Sequence, residues 1–175
     1  MPKFQLLLLD AGVIIAAHEL GIWSRLINKC TISITRTVLE QVTYYWRDER
    51  DNPYQIDLSN DIVEQKIQII DVPLDQVKIF RLKFDPTYLD RMDPGETDSL
   101  AYLCHASEQW LILSGDGFVF RILGRLARSD QGISLEEILE KIGLGRAVKW
   151  QFTKEFRLKY TKQGEQDSIT GQGLK

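Results

Sequence analysis

The chain has 175 residues, of which 43% are hydrophobic and 27% are charged. This is the composition of a globular domain and excludes a largely disordered, collagen-like or coiled-coil chain. At this length, we expect one domain with a substantial core. The net charge of −3 argues against bulk attraction of nucleic acid, although residues 141–162 carry seven cations and one anion.

The sequence predicts neither a membrane span nor a secretory signal. No apolar run approaches the roughly 18 residues that cross a bilayer, and the N-terminal apolar run ends at Asp10. Cys30 and Cys104 lie far apart and lack metal-site spacing. We therefore expect reduced thiols in a cytoplasmic protein that does not contact a membrane.

Short apolar runs alternate with helical patterns along most of the chain. The predicted strands are 4–9, 31–35, 66–72 and 109–113. The predicted helices are 11–17, 20–27, 37–47, 74–84, 94–105, 118–126 and 134–142. This alternation predicts a mostly parallel sheet with helices on both faces, and a fifth strand is expected near 127–133.

The last thirty residues have a different pattern. Hydrophobic residues recur at period two over 148–160, which favours an extended strand or arm. A four-residue spacing in the same stretch leaves a helix open: Val148, Phe152, Phe156 and Tyr160. Residues 163–175 are predicted to form a flexible tail. The chain is therefore divided into a domain at 1–146 and a basic, aromatic extension at 147–175.

Carboxylates stand at strand ends and near the starts of helices. In parallel sheets, strand ends and the helices that follow them share one rim, where ligands bind. Asp10 and Asp116 end strands that we expect to be neighbours, and Asp98 lies in the helix leading into the second of them. We expect these three carboxylates to converge. Oxygen ligands without His or Cys suit Mg²⁺ or Mn²⁺ rather than zinc.

Helix capping is the alternative explanation of each carboxylate. The two strand-end aspartates directly precede predicted helices. Glu40 follows Thr37 by three residues, and Glu96 follows Asp93 by three, which is the spacing of a capping box. Capping alone does not require several carboxylates to meet at one place.

Several other chemistries lack their sequence signatures. The chain has no G-x-x-x-x-G-K-[ST] phosphate loop and no G-x-G-x-x-G dinucleotide motif. It also has no G-x-S-x-G nucleophile elbow. These absences exclude the common nucleotide-binding and serine-hydrolase patterns.

Four segments resemble the PIN-domain family of Mg²⁺-dependent nucleases. They are LLLLDAGVII at the start, TVLEQV around Glu40, GETDSLAYL at 95–103 and LILSGDGFVFRILG at 111–124. Their order and spacing fit the family across residues 4–143. The resemblance implies a PIN-like three-layer α/β sandwich, with a central, mostly parallel sheet of four or five strands flanked by helices.

The resemblance also implies which residues form the site. By position, the catalytic quartet is Asp10, Glu40, Asp98 and Asp116. The implied ligands of Mg²⁺ or Mn²⁺ are Asp10, Asp98 and Asp116, with Glu96 as a further acid and Ser114 as an accessory hydroxyl. Gly115 departs from the family pattern, in which the position before Asp116 is often acidic or polar.

The function implied by the resemblance is metal-dependent hydrolysis of single-stranded RNA. Many members of the family are toxins of toxin–antitoxin pairs, and others process or degrade cellular RNA. The alternative is a PIN-like module of low or no activity that binds protein or RNA as a scaffold. An antitoxin protein and a second copy of the chain, forming a dimer, are the expected protein partners.

RNA binding beside an acidic pocket requires cations that offset the repulsion of phosphates. Unpaired bases also stack on exposed aromatic side chains. The candidate RNA-binding residues are Arg36, Arg47, Arg121, Lys149, Trp150, Lys154 and Arg157.

Overall fold

A central sheet of five parallel strands organises the computed structural model, which describes residues 3–8, 10–42, 45–47 and 50–172. Its strands are β1 (Phe4–Leu8), β2 (Cys30–Thr35), β5 (Ile67–Ile70), β6 (Leu111–Leu113) and β7 (Gly132–Ile133). A separate antiparallel hairpin pairs β3 (Tyr45–Arg47) with β4 (Pro53–Gln55). The sheet order is β5-β2-β1-β6-β7, so β1 and β6 are neighbours as predicted.

Helices cover both faces of the sheet within the described part of the chain. They are α1 (Ala11–Glu19), α2 (Trp23–Lys29), α3 (Arg36–Gln41), α4 (Ser59–Val63), α5 (Leu74–Arg81), α6 (Pro86–Leu89), α7 (Pro94–His105), α8 (Gly117–Arg125), α9 (Leu135–Lys141) and α10 (Lys154–Thr170). Because successive strand residues point to opposite faces, Leu6 packs in one core cluster and Leu7 in the other. The predicted helix–sheet–helix α/β fold is confirmed.

The two core clusters place different helices on the two faces. Side chains of α1, α2 and α9 pack with Leu6 and β2. Side chains of α5, α7 and α8 pack with Leu7, joined by Phe156 of α10. Among the described residues, no helix combines the length and apolar character needed to span a bilayer.

Several predicted element boundaries differ from the structure. The helix predicted over 37–47 ends at Gln41, and the chain then enters the hairpin. The expected fifth strand is present but contains two residues, because it pairs only at Ile112 and Leu113 of β6. Helices α4 and α6 have five and four residues, which is too short to show a helical period.

The predicted strand or arm over 148–160 is wrong, and so is the flexible tail from 163 to Thr170. After a short 3₁₀ turn at Trp150–Phe152, the chain forms α10. Phe152 and Phe156 are buried, whereas Trp150 and Leu158 are about half exposed. The four-residue spacing, rather than period two, therefore marks the buried face of this segment.

Close packing of α10 on α8 explains why the extension belongs to the domain. A Cβ at Gly164 would overlap the Arg121 carbonyl, and one at Gly124 would overlap the Thr161 carbonyl. Arg121 also forms an ion pair with the buried Asp167 of α10. The glycines let the two backbones approach closely enough for this pairing.

Replacing Gly164 with alanine should destabilise the fold. We expect Gly164→Ala to lower the free energy of unfolding by at least about 2 kcal/mol, because the added methyl group forces α10 away from α8. Urea-induced unfolding measures this change.

Gly145→Ala is the matched control, because its Cβ would lie 3.6 Å from Glu140 Cγ, an ordinary contact. It should change stability by less than about 1 kcal/mol. Equal stability of the two variants would contradict the close packing of α8 and α10.

Candidate functional site

Asp10 joins the ends of β1 and β6 through its side chain. As N-cap of α1, its Oδ1 accepts a hydrogen bond from the Val13 N–H at 3.0 Å. Its Oδ2 accepts bonds from the Ser114 hydroxyl at 2.6 Å and from the Gly115 N–H at 3.1 Å. Both oxygens are thus held at the carboxyl edge of the sheet, where the sequence predicts the site.

Asp116 occupies the equivalent position after β6. Its Oδ1 caps α8 by accepting a bond from the Phe118 N–H at 2.7 Å. Its own N–H donates to the Ser114 hydroxyl oxygen at 3.0 Å, so Ser114 connects the two aspartates. Ser114 is fully buried, which fits the accessory position assigned to it.

The third group of acids comes from the start of α7. Asp93 caps the helix by accepting a bond from the Glu96 N–H at 2.8 Å, and the Glu96 carboxylate accepts a bond from the Asp93 N–H at 3.3 Å. This is the capping box that the spacing allows. Glu96 is nevertheless buried, at 3% exposure, which an ordinary cap does not require.

All four of these acids line one cavity of about 380 Å³, here called the acid cavity. Its walls are formed by Asp10, Ala11, Gly12, Ile15, Gln41, Asp93, Glu96, Gly115, Asp116, Gln151 and Phe152. Phe152 packs on Gly115, where a Cβ would lie 2.5 Å from the ring. Glycine at position 115, where the PIN family often has an acidic or polar residue, therefore leaves room for Phe152. This ring belongs to the C-terminal segment and forms a wall of the cavity.

Burial and the charges of neighbouring carboxylates raise the pKa values of two acids of the cavity, Glu96 and Asp116. Burial raises the pKa of Glu96 to about 9, with further increases from Asp116, Asp93 and Asp10. Burial likewise raises the pKa of Asp116, against the opposing hydrogen bond from the Phe118 N–H. A bound cation would relieve this repulsion.

The donor chemistry of the cavity fits Mg²⁺ or Mn²⁺, since four carboxylates and the Gln41 amide offer hard oxygen atoms. Over the described ranges, however, no three carboxylate, imidazole or thiol groups stand close enough to hold one metal ion. With the side chains in this arrangement, at most two of these groups could ligate one ion, and water would supply its remaining ligands. The residues supply the oxygen ligands that Mg²⁺ or Mn²⁺ prefers, but these oxygens are not arranged around a single position.

Asp98 and Glu40 lie outside the walls of the acid cavity, contrary to the convergence expected from the sequence. Asp98 follows Glu96 by two residues on α7, and such residues project from nearly opposite sides of a helix. Its Oδ2 accepts a hydrogen bond from the Thr37 hydroxyl at 2.5 Å. Glu40 is exposed on α3, and its neighbour Gln41 lines the cavity instead.

The capping box predicted for Glu40 and Thr37 is also wrong. Thr35 is the N-cap of α3 and accepts a bond from the Val38 N–H. Helix α3 begins at Arg36, so Thr37 falls inside its first turn, where its hydroxyl is free to reach Asp98.

Most of the predicted RNA-binding cations are held by carboxylates. The ion pairs are Arg36 with Asp71, Arg121 with Asp167, Lys149 with Glu19 and Arg157 with Glu137. Lys154 is exposed at the start of α10, and half-exposed Trp150 lies beneath the Lys159 ammonium at 5.2 Å. The side chain of Arg47 lies outside the described residues. Internal pairing reduces the charge that these residues can offer to a phosphate chain.

Asp93, Gln41 and Phe152 are the site residues that the sequence reasoning missed. The sequence predicts Asp93 as a capping residue, but the spacing of a cap does not indicate that the side chain also lines a cavity. Gln41 differs from the predicted Glu40 by one helical step. Phe152 enters from the segment that was predicted to be a separate arm.

Replacing Glu96 by glutamine should stabilise the metal-free protein at high pH. The folded-state pKa of about 9 lies above the ordinary value of 4.5, so the folded protein holds a proton that the unfolded chain has lost. The free energy of unfolding therefore falls as the pH rises from about 4.5 to 9, and it levels off above pH 9. The total decrease is roughly 1.4 kcal/mol for each unit by which the folded and unfolded pKa values differ. Glu96→Gln should remove this slope and exceed the wild type by at least about 2 kcal/mol at pH 8.

Urea unfolding in EDTA at pH 5, 7 and 9 measures the effect. Glutamine can still form the capping box, so a cap is not lost with the charge. Glu140→Gln, an exposed acid on α9, serves as the control and should follow the wild-type curve. Parallel curves for Glu96→Gln and wild type would contradict a buried, repelled carboxyl.

Comparison of the chain with protein-family models, with curated proteins and with solved structures finds no match. The functional conclusion therefore depends on the residues of the acid cavity and on their surroundings.

Proposed function

We propose that the protein is a divalent-metal-dependent ribonuclease of the PIN type that hydrolyses phosphodiester bonds in single-stranded RNA. The observation that carries this proposal is the meeting of Asp10, Asp93, Glu96 and Asp116 around one cavity at the carboxyl edge of a parallel sheet. Four acidic side chains share this cavity, and no cation is present among the described residues of its walls, so ionisation of all four is unfavourable unless a positive ion enters.

Mg²⁺ or Mn²⁺ bound in this cavity would activate a water molecule and neutralise the charge that develops on the phosphoryl group. Asp10 and Asp116 are the residues best placed to hold the ion, because helix caps and Ser114 fix their orientation. Glu96 and Asp93 complete the donor set from α7.

A scaffold without activity is the second candidate function, and two observations favour it. Among the described residues, no three ligand groups are positioned for one ion. Phe152 also packs on Gly115 at the cavity wall. The toxin role, the antitoxin partner and the dimer remain predictions under either function.

The wild-type protein should cleave single-stranded RNA in the presence of Mg²⁺ or Mn²⁺ and not in EDTA. We expect Asp10→Asn, Asp116→Asn and Glu96→Gln each to lower the cleavage rate at least about 100-fold, because each removes an ionic ligand. Cleavage of an end-labelled oligonucleotide, resolved by gel electrophoresis, measures the rate.

Asp98→Asn is the matched control from the same helix. It should retain activity within about threefold, because Asp98 bonds to Thr37 and does not line the cavity. If Asp98→Asn lost cleavage activity while Glu96→Gln kept it, Asp98 rather than Glu96 would belong to the site, as the sequence predicts. Equal cleavage in EDTA would reject the nuclease proposal.

Calorimetric titration with Mn²⁺ distinguishes the nuclease from the scaffold without any substrate. The nuclease should bind Mn²⁺ specifically, and Asp116→Asn should weaken that binding at least about tenfold, because it removes a charged ligand. Asp98→Asn should leave it unchanged. Absence of specific Mn²⁺ binding by the wild type would favour the scaffold.

A further inference from the structure

A second cavity adjoins the acid cavity and contains positive and aromatic side chains. It has a volume of about 300 Å³, and its walls are formed by Arg91, Asp116, Gly117, Phe118, Arg121 and Tyr160. Asp116 lines both cavities. The two cavities therefore share one wall residue, and we call the second one the arginine groove.

The groove continues on its far side. A further cavity of about 300 Å³ shares Arg91, Phe118 and Arg121 with it. Tyr88 and Thr87 also line this outer cavity, together with the Asp85 side chain that caps α6. The three cavities therefore share wall residues in series, with Asp116 common to the first two and the two arginines common to the last two.

Arg91 is the cation best suited to bind a ligand in the groove. It is exposed, and within the described ranges it forms no ion pair, unlike four of the cations predicted from the sequence. Arg121 is held in place by both carboxylate oxygens of Asp167. The groove therefore has one cation free to pair with an anion and a second whose position is fixed.

A buried guanidinium lies beside the outer cavity and interacts electrostatically with Asp167. Arg125 is 5% exposed, and its three guanidinium nitrogens find no hydrogen-bond acceptor among the described residues. Its guanidinium lies 5.0 Å from the centroid of the Tyr88 ring, and that ring lines the outer cavity. A buried cation with no hydrogen-bonding partner is unfavourable, and a nearby anion offsets part of that cost.

Tyr160 gives the groove a flat aromatic wall. Its ring lies directly on the backbone at Gly117, where a Cβ would be 2.6 Å from the ring atoms. The ring is half-buried and lines the groove. The Phe156 ring and the Lys159 ammonium also lie near this ring, at 4.7 and 5.6 Å from its centroid. An aromatic face that remains accessible can stack with an unpaired nucleic-acid base.

We propose that the arginine groove binds a nucleotide of single-stranded RNA next to the phosphate that enters the acid cavity. Arg91 pairs with its phosphate and Tyr160 stacks on its base. The proposal rests on the nuclease function for the direction of the chain, but binding itself needs no cleavage. It explains how RNA approaches the acid cavity, because Arg91, which forms no ion pair among the described residues, lies on the adjoining wall.

Fluorescence anisotropy of a labelled ten-nucleotide oligouridine tests the groove. The full chain carries Asp10→Asn, so that the probe stays intact, and the buffer contains Mg²⁺. Arg91→Gln should weaken binding at least tenfold and lower the slope of log Kd against log salt by about 0.7, the value for one phosphate contact on a single strand. Tyr160→Leu should weaken binding at least threefold and leave that slope unchanged, because stacking carries no charge.

Arg81→Gln, at an exposed arginine of α5 outside the groove, is the matched control and should change Kd by less than twofold. Equal binding by the Arg91 and Arg81 variants, equal binding of a ten-base-pair RNA duplex, or no measurable binding of oligouridine would each overturn the proposal. Because Arg91 is exposed, Arg91→Gln tests the groove even if Tyr160→Leu fails to fold.

The two proposals fail in different ways. Binding that depends on Arg91, with no cleavage by the wild-type protein, would retain the groove and reject the nuclease. Metal-dependent cleavage, with binding that is indifferent to Arg91, would retain the nuclease and reject the groove.

Discussion

The cost of keeping four carboxylates around one cavity is the constraint on which the rest of the site depends. Three of them, Asp10, Asp93 and Asp116, are N-caps of α1, α7 and α8. Each accepts a backbone N–H bond and lies at the positive end of a helix dipole. Three helix N-termini at one edge of the sheet therefore offset part of the repulsion between the acids.

Capping and a role in the site are consequently compatible at the same residues. The sequence presents them as alternatives, because a cap is common and explains each acid by itself. In the structure, the cap bond uses Oδ1 of Asp10, Asp93 and Asp116, and it fixes the direction in which the side chain points. Glu96 differs, since it is buried and its pKa is raised furthest. Its burial makes ionisation of this carboxyl unfavourable in the folded protein.

The C-terminal segment is part of the domain and shapes both cavities. Phe152 forms a wall of the acid cavity by packing on Gly115, and Tyr160 forms a wall of the arginine groove by packing on Gly117. Two glycines beside Asp116 thus admit two aromatic rings from α10 and the turn before it. The ion pairs of Arg121 with Asp167 and of Arg157 with Glu137 hold the helix in this position.

The sequence by itself determined the α/β class, the neighbouring strand ends that bring Asp10 and Asp116 together, and the cap of α7. These features follow from apolar runs and cap spacing, which act over a few residues. Tertiary structure decided that Glu96 rather than Asp98 faces the cavity. Residues two positions apart project from nearly opposite sides of a helix, and Asp98 accepts a hydrogen bond from Thr37 of α3. Tertiary structure also decided the conformation of 148–160, where both periods were present. Burial against α8 selected the helical one, and only the folded chain supplies that partner.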